Sequence, residues 1–94
     1  MNIVQHVSRT VKNGRKRIGI MQEDLGGMVK CSGSYITKLE RGQSVPSVNM
    51  AVKLENALRL RHGSIWKPLK RFEAIEFRLK RKAAADALRA DVAR

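Results

Sequence analysis

The amino-acid sequence predicts an all-α fold of four short helices followed by a long, basic fifth helix. Apolar residues recur at spacings of three and four along most of the chain, which is the period of helices that bury one face. Strand signals are weak, because the chain has one tyrosine and no alternating apolar and polar run. The 94 residues are enough for one small core and no large catalytic cleft.

The first helix is predicted over about residues 3–17, and Gly19 follows its end. Its apolar face is formed by Val4, Val7, Val11 and Ile18. A second, short helix is predicted over residues 21–29, where Leu25 and Met28 are expected to face inward.

The third and fourth helices carry clear boundary signals. Ser32 is a good N-cap for a helix over residues 33–41, and Gly42 can close that helix in a left-handed conformation. Ser47 can cap a fourth helix over residues 48–60. The apolar face of this helix is formed by Ala51, Leu54, Ala57 and Leu58.

The fifth helix is predicted from Trp66 to about Val92, with Pro68 in its first turn, where proline is tolerated. Its narrow apolar stripe consists of Leu69, Phe72, Ile75, Leu79 and Ala83. The stripe is compatible with a helix folded back on the core, a helix paired with a second copy, or a free basic arm. We divide the chain into a compact domain over residues 1–64 and a basic helix over residues 65–94.

The net charge and the composition of the chain restrict the classes of function that it could have. The chain carries 20 Lys and Arg against 8 Asp and Glu, a net charge of +12, which favours a polyanionic partner. No apolar run approaches the roughly 20 residues that span a bilayer, and we find no signal peptide, so we expect a cytoplasmic protein. Cys31 is the single cysteine, and His6 and His62 are isolated, so we expect no metal and no cofactor. No nucleophile and base pair is evident, so we expect no enzyme.

Two stretches of sequence carry a family resemblance. The segments QEDL at 22–25 and SGSYITKLERG at 32–42, followed by VPS at 45–47, resemble the Cro/cI-type (XRE-like) helix-turn-helix family of phage repressors and bacterial regulators. The resemblance covers roughly residues 4–60. It implies a compact lambda-repressor-like domain in which the third helix enters the major groove of DNA.

The resemblance also implies roles for individual residues. Gln22 would cap the second helix and donate to a phosphate, and Gly33, Ser34 and Lys38 would face base edges. The implied DNA-binding set is Gln22, Ser32, Gly33, Ser34, Tyr35, Thr37, Lys38, Arg41 and Gln43. Arg15 and Glu40 would form a buried salt bridge, which also removes the repulsion that a carboxylate facing phosphate would cause. Lysine chemistry agrees with the implied role of Lys38, because lysine can donate to guanine O6 or N7.

The chain departs from the family pattern at four positions. Met21 stands where the family usually has Ser or Thr as the N-cap of the second helix, a loss of about 1 kcal/mol. Gly14 replaces a core leucine, and the space is expected to be filled by Trp66 or Phe72 of the fifth helix. Lys30 replaces the turn glycine and must adopt an unusual backbone conformation unless the turn is remodelled. Gly26 replaces a small alanine, a change expected to be sterically harmless.

The sequence therefore predicts a sequence-specific regulator of transcription that binds a double-stranded DNA operator. We expect a repressor, because a chain of this size leaves no room for a ligand-binding domain, and a homodimer, because such proteins commonly read two half-sites. The alternative is an antitoxin that binds a toxin protein and represses its own operon. A nonspecific architectural or RNA-binding protein is a third hypothesis, although the chain has few aromatic residues for stacking on bases.

Overall fold

The computed structural model describes residues 2–92, with the exception of the side chains at 77, 80, 81 and 83–92. Within these residues the chain forms five helices and no strand, so the predicted all-α fold is confirmed. The helices are α1 (Ile3–Ile18), α2 (Gln22–Met28), α3 (Gly33–Glu40), α4 (Val48–Ala57) and α5 (Trp66–Val92).

Helix α1 starts and ends on residues suited to those positions. Asn2 Oδ1 accepts from the backbone N–H of Gln5 at 2.9 Å, and Gly19 closes the helix with a φ of 73°. Gly14 lies on the buried face, where an added Cβ would come within 3.3 Å of Leu58 Cδ1. The expectation that the fifth helix fills this space is wrong, because Leu58 at the end of α4 fills it.

Leu25 and Met28 of α2 were both expected to face inward, and one of them does. Leu25 is fully buried, but Met28 is 55% exposed, so the inward placement of Met28 is wrong. Val29, four residues after Leu25, is buried instead, since residues four apart share a helix face. Asp24 Oδ2 accepts from the N–H of Met21 at 3.0 Å and so satisfies one donor at the helix start.

Helices α3 and α4 are capped by the predicted serines. Ser32 Oγ accepts from the N–H of Tyr35, and Ser47 Oγ accepts from that of Met50, each at 3.1 Å. Helix α4 ends at Ala57, three residues before its predicted end, because Arg59 takes a left-handed conformation with a φ of 54°. The left-handed position that ends a helix is commonly a glycine, but here it is an arginine. The residue types therefore did not indicate where α4 ends.

The core is built from all five helices and the segment before α5. Its buried apolar residues are Val7, Val11, Leu25, Val29, Ile36, Leu39, Ala51, Leu54, Leu58, Ile65 and Leu69. Ile65 and Leu69 bring the first turn of α5 into this core, although the division of the chain at residue 64 stays a prediction. Farther along α5 the apolar stripe leaves the core and is exposed to solvent. Ile75 is 49% exposed and Leu79 is 62% exposed. The side chain of Ala83, the last predicted member of the stripe, lies outside the described residues.

A buried carboxylate fixes the start of α5. Glu55 in α4 is 1% exposed, and its two oxygens accept from the backbone N–H groups of Gly63, Ile65 and Trp66, each at 2.8 Å. His62 Nδ1 lies 3.7 Å from the same carboxylate. Burial raises the pKa of Glu55, but the three backbone hydrogen bonds and His62 outweigh it and hold the pKa below its ordinary value. Glu55 thus fixes the direction in which α5 leaves the core.

One contact of His6 and one property of the helices complete the description of the fold. His6 is half-buried and its Nε2 lies 2.9 Å from the carbonyl oxygen of Ser64, which ties α1 to the segment before α5. Over residues 2–92, none of the helices is apolar and long enough to traverse a membrane.

Candidate nucleic-acid interface

Helices α2 and α3 approach each other closely because two glycines lie where they meet. A Cβ on Gly26 would lie 2.8 Å from the carbonyl oxygen of Cys31, closer than Cβ atoms in real proteins come to such an oxygen. A Cβ on Gly33 would lie 3.1 Å from Cγ of Glu23. Glycine at position 26 causes no steric conflict, as expected, whereas alanine would not fit in this structure without movement. Glycine at position 33 also has a structural explanation, because the first turn of α2 packs against it.

The turn between the two helices has an unusual backbone at one residue. Lys30 adopts a φ of 58°, the left-handed region that glycine tolerates best. The N–H of Cys31 donates to the carbonyl of Gly26 at 2.7 Å and closes the turn. The unusual backbone expected at Lys30 is thus present, and the turn is kept despite it.

Helix α3 separates a buried face from an exposed one. Ile36, Leu39 and Glu40 are buried. Ser34, Lys38 and Arg41 follow one another at spacings of four and three residues and are all exposed. The exposed stripe therefore carries one hydroxyl and two cations, whereas the single carboxylate of the helix points into the protein.

Glu40 is paired across the fold with Arg15 of α1. Arg15 Nε donates to Oε2 at 2.8 Å and Nη2 donates to Oε1 at 2.9 Å, while Nη1 donates to the carbonyl of Ile20 at 2.9 Å. The hydrogen bonds and the charge of Glu40 raise the pKa of Arg15, outweighing its burial. Ser8 adds a second link, because its hydroxyl donates to the backbone carbonyl of Glu40. Helix α1 thus holds the end of α3 in place.

Gln22 and Thr37 connect the beginning of α2 to the middle of α3. Thr37 Oγ1 donates to Gln22 Oε1 at 2.7 Å and lies 3.1 Å from the carbonyl of Gly33. With its oxygen engaged, the Gln22 amide presents its NH2 group as the remaining donor. Thr37, by contrast, is half-buried and already hydrogen-bonded, so it acts in this structure as a support for Gln22.

Tyr35 lies on the side of α3 that leans toward the core. It is half-buried and packs against the hydrophobic core next to Cys31. Burial raises the pKa of the Tyr35 hydroxyl, and the charge that the Cys31 thiolate would carry raises it further. Burial also raises the pKa of the Cys31 thiol, while Lys53 acts in the opposite direction. Both groups are therefore kept neutral at ordinary pH.

The loop after α3 extends the exposed stripe. Gly42 adopts a φ of 73°, and the N–H of Gln43 donates to the carbonyl of Lys38 at 2.8 Å. The side chains of Arg41 and Gln43 are exposed beside that bond, while Pro46 anchors the loop in the core. The exposed polar residues of this region are Ser32, Ser34, Lys38, Arg41 and Gln43, and Gln22 of α2 is bonded to α3 through Thr37.

The structure adds supporting residues that sequence reasoning missed. Glu23 packs its side chain on Gly33, and Ser8 bonds to Glu40. Neither residue has a periodic signal in the sequence, because each acts through one contact with a distant segment. Among the described residues, no group of three His, Cys, Asp or Glu side chains is placed to hold a metal ion.

The chain is similar to known helix-turn-helix proteins in both sequence and fold. A family model described as HTH_3, helix-turn-helix, matches residues 11–65. The P22 c2 repressor protein, in a crystal structure with synthetic operator 9T and Tl+, is 28% identical over 68% of this chain and 97% of that chain, with a TM-score of 0.61. An HTH_3 family transcriptional regulator from Vibrio cholerae is 20% identical over 71% of this chain and 39% of that chain, with a TM-score of 0.61, a likeness of fold alone. No curated protein matches the chain.

Proposed function

The chain belongs to the HTH_3 helix-turn-helix family, and on this basis we propose that it is a sequence-specific, double-stranded DNA-binding repressor of transcription that acts as a homodimer. Its five-helix fold resembles that of the P22 c2 repressor, whose structure contains an operator. Because 97% of that chain aligns with this one, the likeness extends over nearly the whole operator-bound chain.

The observation that carries the proposal is the distribution of charge on α3. Ser34, Lys38 and Arg41 form the exposed stripe, and Glu40 is buried against Arg15. DNA attracts cations and hydrogen-bond donors and repels carboxylates, so this helix presents to solvent the groups that DNA binds. The whole chain strengthens the attraction with its net charge of +12.

The proposed mechanism assigns the exposed residues to two kinds of contact. With α3 in the major groove, Lys38 donates to guanine O6 or N7, and Ser34 bonds to an adjacent base edge. Gln22 donates through its amide NH2 to a phosphate, and Arg41 and Gln43 contact the backbone where the loop passes it. Ser32 and Gly33 bring the first turn of α3 close to the DNA, while Tyr35 and Thr37 support the neighbouring contacts.

Repression and dimerisation are parts of the same proposal. A repressor of this type acts by occupying an operator that polymerase must cross, which needs no additional domain. Two copies related by a two-fold axis read two half-sites about one helical turn apart, roughly 10 base pairs.

The test is selection of binding sites from a random duplex library, followed by fluorescence anisotropy of the selected and scrambled duplexes over a range of salt concentrations. We expect a palindromic site bound about 10³-fold more tightly than the scrambled duplex. Equal affinity for both duplexes, lost steeply as salt rises, would reduce the interaction to counterion release and contradict the proposal. In a reporter assay, placing the selected site across a promoter should lower transcription, and increased transcription would contradict repression.

A further inference from the structure

Beyond the core, α5 carries an apolar seam that none of the described residues covers. Phe72 is half-buried, whereas Ile75 and Leu79 are 49% and 62% exposed. These three residues lie at spacings of three and four and therefore on one face of the helix. At its base the seam opens into a groove of about 450 Å³ between α5 and the beginning of α1. The groove is lined by Asn2, Ile3, His6, Pro68, Arg71, Phe72 and Ile75.

The two sides of this seam carry opposite charges. Arg71 and Arg78 lie seven residues apart along one side. Glu76 lies on the other side, next to Phe72 and Leu79, and Glu73 lies farther round in the same direction. All four of these side chains are exposed. We call these sides the basic edge and the acidic edge of the seam.

We propose that this face of α5 is a parallel two-helix interface with a second copy of the chain, in which Arg71 of each copy pairs with Glu76 of the other. In heptad terms Phe72 and Leu79 take the a positions and Ile75 takes the d position. Arg71 then takes a g position, and Glu76 takes the e position five residues later. This is the spacing at which g and e residues of parallel helices form ion pairs.

The arrangement of charge selects the parallel orientation. In a parallel pair the basic edge of one helix faces the acidic edge of the other, and symmetry produces the Arg71 to Glu76 pair twice. In an antiparallel pair each edge faces its own counterpart, so Arg71 and Arg78 of one helix would face the same residues of the other. Like charges in this position disfavour association.

The inference rests on the proposed homodimer and specifies its interface. In a parallel pair both helix-turn-helix domains lie at the same end of the two-helix stem. Both copies of α3 are then available to a single DNA duplex, as two half-sites require. In an antiparallel pair with a long overlap, the two domains would lie at opposite ends of the stem.

Charge reversal in the full chain tests the pairing. Arg71→Glu places a second carboxylate opposite Glu76, and Glu76→Arg places a second guanidinium opposite Arg71. Sedimentation equilibrium should therefore show each variant dimerising roughly tenfold more weakly than the wild type. An equimolar mixture of the two variants should recover dimer as a heterodimer, because both of its pairs across the seam again join opposite charges. Lys70→Glu, an equal change of charge on α5 away from the seam, should leave the dissociation constant unchanged.

Cysteine cross-linking tests the orientation. In a Cys31→Ser background, Ile75→Cys and Lys82→Cys place thiols seven residues apart at equivalent positions of the seam. In a parallel pair each variant should form a disulfide-linked dimer with itself. In an antiparallel pair at most one of them could do so, and this result would overturn the proposal.

The outcomes separate this inference from the proposed function. A wild-type chain that stays monomeric overturns the interface, as does a dimer that is indifferent to both charge reversals. So does tight capture of an acidic partner helix by the monomer in place of self-association. Site selection reports on DNA binding independently. Circular dichroism of each variant, compared with that of Lys70→Glu, identifies any variant that lost its fold, and the cross-linking pair then provides the decisive measurement.

Discussion

Arg15 in α1 and Glu40 at the end of α3 are joined by two parallel hydrogen bonds of 2.8 and 2.9 Å. The side chains are 15% and 4% exposed, so the pair is shielded from solvent on the Glu40 side. This relationship removes the carboxylate of α3 from the exposed surface and fixes the end of that helix. It therefore affects both the stability of the fold and the charge of the proposed DNA-binding face.

A double-mutant cycle should show that Arg15 and Glu40 are strongly coupled. Arg15→Met leaves a buried carboxylate without its partner, and we expect a loss of about 3 kcal/mol in the free energy of unfolding. Glu40→Leu leaves Arg15 unpaired and should also be destabilising. The double variant should be more stable than Arg15→Met alone, as measured by urea denaturation. Strictly additive losses would show that the pair has no coupling energy.

Glu55 should make the stability of the protein depend on pH in the acid range. Its pKa in the folded state lies below its ordinary value of about 4.3, so its stabilising contribution is fully present above that pH. The contribution is lost as the pH falls through the folded pKa. Glu55→Gln should cost about 1–3 kcal/mol near neutral pH, because three backbone donors lose their charged acceptor.

The difference between wild type and Glu55→Gln should shrink as the pH falls below about 4. Glu73→Gln, which changes an exposed carboxylate on α5, is the matched control and should show little change at any pH. A Glu55→Gln variant whose destabilisation stayed constant down to acid pH would contradict the role assigned to the carboxylate.

Two adjacent glycines in α2 should respond to alanine in opposite directions. A Cβ on Gly26 would meet the Cys31 carbonyl at 2.8 Å, so Gly26→Ala should destabilise the protein by about 1–3 kcal/mol. Gly27 is exposed and nothing lies within 4 Å of a Cβ added there, so Gly27→Ala should stabilise by about 0.5–1 kcal/mol. Thermal and urea unfolding of both variants measure the contrast. Equal effects would mean that α2 and α3 are farther apart than these distances indicate.

Substitutions on the exposed face of α3 should separate base recognition from backbone attraction. Lys38→Ala should reduce discrimination at one base pair by about 1–3 kcal/mol, and Ser34→Ala should change the preference at a neighbouring pair. Arg41→Ala should weaken all duplexes to a similar extent and lower the salt slope by about 1. Site selection with each variant supplies the comparison. An unchanged preferred site for Lys38→Ala and Ser34→Ala would show that another face of the protein reads the sequence.

Much of the fold could be predicted from the sequence, because its signals are local. Ser32 and Ser47 act as N-caps and Gly42 closes α3, as their chemistry indicates. The end of α4 could not be predicted because Arg59 adopts a left-handed conformation that its residue type does not indicate. Met28 was misplaced because α2 is too short for apolar periodicity to choose between it and Val29.

The parts of the site that were missed depend on contacts between distant segments. The role of Gly26 follows from the path of the backbone at Cys31, and that of Gly14 from Leu58 in another helix. Glu55 did leave a signal, since it sits beside Leu54 among the buried positions of α4, where an acidic residue requires a partner. Its partners are backbone amides near the start of α5, which have no side-chain signature in the sequence.

The attachment of α5 by Glu55 also has a consequence for how tolerant the proposed dimer is of different operators. Because the first turn of α5 is bonded to α4 through the carboxylate of Glu55, these hydrogen bonds restrict the angle between α3 and the proposed stem. In the proposed dimer, two copies joined through such stems would hold their α3 helices at a fixed separation. Inserting or deleting a base pair between half-sites then has to be absorbed by twisting the DNA. The spacing of the half-sites becomes as much a part of the recognised sequence as the bases themselves.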